Sequence, residues 1–99
     1  MPALVNLANV FYMRGDPAGA AGWYDRALLL DPQNQHAIAG SVKVKAEIGD
    51  VIAASSMLER LRAINPTAAD SLNRIYKRVF IENNRYRNKT LSHTAGSAI

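Results

Sequence analysis

The strongest constraint on this chain is that it repeats itself every 34 residues. Ala3 falls on Ala37, Val10 on Val44, Gly15 on Gly49, Asp16 on Asp50, Ala20 on Ala54, Arg26 on Arg60 and Pro32 on Pro66. Seven identities in 34 positions exceed the roughly two or three expected by chance at ordinary composition. The pairs Leu4/Ile38, Leu30/Ile64 and Asp31/Asn65 keep the register conservatively. A period of this length marks a stack of supersecondary units, each burying its apolar face against a neighbour. The 99 residues hold two such units and a remainder, within the size of one domain.

Each unit reads as two helices joined by a tight turn. Leu4, Leu7, Ala8 and Phe11 follow helical spacing, and Gly15 stops that helix. Asp16 is an N-cap and Pro17 a first helical residue, so a second helix starts at once. Its apolar face holds Ala20, Trp23, Tyr24, Ala27 and Leu28, and it ends before Asp31-Pro32. In the second unit Asn34 caps a helix running through Ile48, with Gly49 as the stop. Asp50 caps the fourth, with Val51, Ala54, Met57, Leu58 and Leu61 facing inward. Asn65-Pro66 breaks it, and Thr67 with Asp70 three residues on gives a box-like start to a fifth, burying Leu72, Ile75, Tyr76 and Val79. No stretch alternates as a strand would, so the fold class is all-α with about five helices.

Leu4, Leu7, Ala8, Phe11, Ala20, Tyr24, Ala27 and Pro32 at these spacings, with Gly15-Asp16 and Leu30-Asp31-Pro32, resemble the tetratricopeptide repeat. The first unit matches well. In the second, Ser41, Val42 and Lys45 replace the large, small and aromatic residues of that pattern. The resemblance implies a right-handed superhelix of antiparallel helix pairs whose first helices line a concave groove. It divides the chain into repeat 1 (1–34), repeat 2 (35–68) and a capping helix (67–86), together a domain at 1–86, with a flexible tail at 87–99. Family members that grip the terminal carboxylates of heat-shock chaperones use a clamp of two lysines, two asparagines and an arginine. The matching positions here are Val5, Asn9, Gly40, Asp70 and Arg74. Asn9 and Arg74 fit and Asp70 has the wrong sign, which argues against that docking activity.

Composition and motifs point away from catalysis. Cysteine is absent, which removes a disulfide framework, thiolate metal ligation and a cysteine nucleophile. His36 and His93 stand far apart, and His36 reads as a solvated first-turn residue. Gly15, Gly19 and Gly22 follow no strand and form no phosphate-binding fingerprint. Arg14-Gly15-Asp16 spells an adhesion tripeptide, but a helix stop followed by a cap explains it, and Gly49-Asp50 reuses the device. The chain is read as a non-enzyme without metal or cofactor. No apolar run approaches the ~18 residues of a membrane span, so a cytoplasmic protein, or a soluble fragment of a larger one, is expected.

Two surfaces stand out. Through the family's geometry, the groove would gather Asn9, Tyr12 and Met13 from the first unit and Lys43, Ala46 and Glu47 from the second. Asn73, Lys77, Phe80 and Ile81 would join them from the closing helix. An apolar floor with polar handles suits a peptide; the same apolar side chains equally suit the interior of a short superhelix. The second surface is basic. Residues 69–99 carry six basic and two acidic side chains, which is the whole net charge of +4. On a continuous helix Arg74, Lys77, Arg78 and Arg85 would form one stripe, either a solvated face or a contact for acidic groups. The leading function is a scaffold that binds a protein or peptide segment, one with acidic residues satisfying both surfaces. The alternatives are self-association into a homo-oligomer and binding of nucleic acid or another acidic surface through the basic helix.

Overall fold

A computed structural model describes residues 2–81 of the chain. Within them lie α1 (Pro2–Met13), α2 (Pro17–Leu30), α3 (Gln35–Glu47), α4 (Val51–Ile64) and α5 (Pro66–Ile75), followed by a further helical segment at 77–81. There is no strand among the described residues. The helices pack as sequential antiparallel pairs, with α1 on α2, α2 on α3, α3 on α4 and α4 on α5. Looser contacts join α1 to α3 and α3 to α5.

Local chemistry sets each boundary. The Asp16 carboxylate accepts from the Gly19 N–H at 2.8 Å, Asn34 from Ala37 at 3.1 Å and Asp50 from Ala53 at 3.3 Å. Each side chain thereby satisfies one amide that the first helical turn leaves without a backbone partner. Gly15 and Gly49 adopt φ of 82° and 87°, the left-handed conformation that ends a helix with least steric cost in glycine. The chain then closes back: the Asp16 N–H donates to the Phe11 carbonyl, and the Asp50 N–H to the Lys45 carbonyl, both at 2.9 Å.

The fifth helix starts earlier than Thr67. Asn65 ends α4 and caps α5, accepting from the Ala68 N–H at 3.1 Å, while Pro66 takes the first helical position. The same two residues that stop one helix therefore start the next. A second departure comes at Tyr76, where the helix breaks before resuming at 77. Ala69, Leu72, Tyr76 and Phe80, spaced three or four residues apart, set the inner face, and Ile75 falls beside it. Ile75, expected inside, is 70% exposed, whereas Phe80 is 6% exposed and belongs to the core.

Small residues let the helices approach closely. Ala8, Ala20, Ala27, Ala37 and Ala54 are fully buried, at positions where larger side chains would force the pairs apart. In repeat 1 the Phe11 and Trp23 rings meet edge to face, with centroids 6.1 Å apart. Arg26 lies 4.9 Å above the Trp23 ring, which makes the indole a packing element. In repeat 2 the slot of Phe11 holds Lys45. Its side chain is only 13% exposed, and its ammonium reaches Asp25 of α2 at 3.1 Å. The stem covers apolar surface while the charge finds a partner at the rim. Ser41, in the slot of Leu7, is fully buried, and its hydroxyl has no hydrogen-bond partner among the described residues.

Candidate functional site

The first helices of the two units, α1 and α3, bound a cleft of about 450 Å³. Val5, Asn6 and Asn9 line it from α1, and His36, Ala39, Gly40 and Lys43 from α3, with Tyr24 and Asn34 completing the wall. Spacing along each helix produces this wall, because residues three and four apart share a face. Asn6 and Asn9 therefore project together, as do His36, Gly40 and Lys43. None of these lining residues is a carboxylate.

The floor depends on one close approach. Tyr24 stands on α2, almost fully buried, and its ring lies over Gly40 so closely that a Cβ there would collide with it. The Tyr24 hydroxyl donates to the Asn9 carboxamide oxygen, which fixes the orientation of a cleft residue from behind. Burial, then the neighbouring Tyr12, pushes the Tyr24 phenol above its ordinary pKa. It is a neutral donor at physiological pH.

Beyond the cleft, a hydrogen-bonded cluster spans the same two helices. The Tyr12 hydroxyl donates to Glu47 Oε1 at 3.0 Å, across 35 residues of sequence. The Lys43 ammonium lies 5.3 Å from the centre of the Tyr12 ring, a cation–π contact that holds the amine at the junction of cleft and cluster. Tyr12 is raised above its ordinary pKa, first by this bond to Glu47 and then by burial. Tyr76, from the break after α5, is pushed up to about 12 by burial, reinforced by the Glu47 charge and by Tyr12.

The structure thus brings together Asn9, Tyr12, Lys43 and Glu47 of the sequence-derived groove. It does not bring the remainder to the cleft. Met13 is exposed to solvent. Asn73 and Arg74 line a separate depression with Thr67 and Asp70. Lys77 and Arg78 are exposed, Ile81 is partly so, and Phe80 is enclosed in the core. Asp70, in the clamp slot with the wrong sign, is held by Arg62 at 2.9 Å. Arg74 and the pair Lys77 and Arg78 lie on either side of the break at Tyr76, so no single unbroken helix carries them as a stripe. Arg85, the rest of the capping helix to residue 86 and the tail at 87–99 lie outside the described residues.

Asn6, Tyr24, Asn34, His36 and Ala39 are cleft residues that motif reading assigned elsewhere or left out. The repeat register contained the signal. Moving 34 residues on from Val5, Asn6 and Asn9 gives Ala39, Gly40 and Lys43, which are the facing wall. No group of three or more histidine, aspartate, glutamate or cysteine side chains that could hold a metal occurs among the described residues. None of their helices is long and apolar enough to cross a membrane.

Residues 2–34 match a family model described as tetratricopeptide repeat. That first helical hairpin is such a repeat, and the second hairpin has the form of one. No curated protein and no solved structure matches the chain.

Proposed function

Because residues 2–34 are a tetratricopeptide repeat, a generic and typically non-catalytic module for protein–protein interaction, we propose that this chain binds a segment of a partner protein in the cleft between α1 and α3. The observation that carries the reading is the composition of the cleft wall. Asn6, Asn9 and Asn34 offer both donors and acceptors, which suits the amides of an extended segment. Val5, Ala39 and the Tyr24 ring supply apolar floor, and pockets of this mixed kind favour peptides with an apolar anchor. Lys43 is the one side chain of fixed charge among the lining residues, none of which is a carboxylate. A segment with an acidic residue beside its anchor therefore fits best, the anchor supplying affinity and the charge supplying register.

A random-peptide display library selected on the full chain provides the probe. The tightest peptide is then titrated against the parent and against Asn9→Ala, Lys43→Glu and Arg78→Glu. The expected result is a loss of about 1–2 kcal/mol for each cleft variant, typical of a central contact, with Arg78→Glu unchanged. Binding that depends on Arg78 and not on Asn9, with a steep salt dependence and competition by single-stranded RNA, would instead support the basic surface as the site.

A further inference from the structure

The internal repeat allows the same helix face to be compared in two settings within one molecule. Ala37, Ser41 and Val44 share a face of α3 against which α2 packs, and they are 0%, 0% and 1% exposed. Their counterparts 34 residues earlier are Ala3, Leu7 and Val10 of α1. There Ala3 is exposed, Leu7 is half-buried and Val10 is 41% exposed. At 100° per residue these three, with Phe11 at the edge, occupy roughly 100° of arc. Of the cleft residues, Val5 and Asn9 lie on other sides of the helix, whereas Asn6, one turn from both Ala3 and Val10, borders this face. Among the described residues, the face is buried once, in α3, and its more apolar counterpart in α1 is left open.

We propose that this face of α1 packs against the same face of a second copy of the chain, forming a two-fold symmetric dimer. The charge pattern selects that occupant. From Pro2 to Met13 the helix carries no aspartate, glutamate, lysine, arginine or histidine. A two-fold axis sets a face against itself, so a neutral apolar face meets its copy without like-charge repulsion. Ile75 and Ile81, exposed apolar positions at the other end of the described helices, lie among Arg74, Lys77 and Arg78. Two copies of that surface would repel, and set against α1 it would bring three cations to a helix that has no carboxylate for them. The dimer does not rest on the peptide-binding reading, although Asn6 borders both surfaces.

Sedimentation equilibrium of the full chain over a wide concentration range tests this, with circular dichroism to confirm folding. The parent is expected to dimerise, and Val10→Glu and Val10→Lys each to raise the dissociation constant at least about tenfold. An equimolar mixture of the two variants is expected to associate again, because the two-fold arrangement brings opposite charges together. Ala3→Glu, at an exposed site, gives the same readout should the Val10 variants fail to fold. A parent that stays monomeric, variants that dimerise like the parent, or folded variants whose mixture does not associate would each overturn the proposal.

Discussion

The Tyr24 ring rests directly on Gly40, and its hydroxyl reaches past that helix to Asn9 of α1. One side chain of α2 thus fixes the spacing of two helices and the orientation of a cleft residue. Glycine inside α3 is unfavourable by itself, by about 1 kcal/mol relative to alanine. Its presence is explained by the ring. Gly40→Ala is predicted to lower the urea midpoint despite the better helix former, because overpacking a rigid buried ring costs about 1–3 kcal/mol. Removing the ring in Gly40→Ala/Tyr24→Leu should make the alanine neutral or favourable. A single variant as stable as the parent would show that the ring moves aside freely.

The alanines between helices give a graded test of the packing. Ala20→Leu and Ala54→Leu, both at fully buried sites, should destabilise by about 1–3 kcal/mol. Ala18→Leu, at an exposed site near the start of α2, should change stability by less than about 0.5 kcal/mol. Equal effects at all three positions in chemical denaturation would contradict the observed register.

Ser41 predicts a gain. Its buried hydroxyl lacks a partner among the described residues, and removing such a group relieves a desolvation cost of about 1–3 kcal/mol. Ser41→Ala should therefore raise the melting temperature, and a drop would mean that the hydroxyl makes a bond in solution.

Alkaline stability should depend on Tyr76. Its phenol is shifted from 10.0 in the unfolded chain to about 12 in the fold, so between those values the folded state holds a proton that the unfolded state has released. This contribution to stability is complete below pH 10 and is lost as the pH rises toward 12. Tyr76→Phe should flatten the decline of the urea midpoint across that window relative to the parent. Identical slopes would remove Tyr76 from the account.

Much of this fold was legible because its punctuation is local. Asp16, Asn34, Asp50, Gly15 and Gly49 announce helix ends through side-chain caps and positive φ, which need no knowledge of tertiary contacts. The start of α5 was misplaced because Asn65-Pro66 reads as a stop, although the pair also satisfies the rules for a start. The break at Tyr76 left no such trace, having neither glycine nor proline; Ile75 lies outside, and Phe80 continues the inner face of Leu72 and Tyr76. The family's geometry, carried onto the closing helix, is what placed Phe80 in the groove. Of the cleft, Asn9 and Lys43 were visible as polar residues on first helices. The roles of Tyr24 and Gly40 come from packing between α2 and α3, which no local pattern encodes.

The central claim, that a protein segment lies between α1 and α3, is tested most directly by mapping backbone amide shifts of the labelled chain on titration with the selected peptide. The account predicts the largest changes at Asn6, Asn9, Ala39, Gly40 and Lys43, the facing walls of one cleft. Changes confined to Arg74, Lys77 and Arg78, with the cleft amides unmoved, would contradict it.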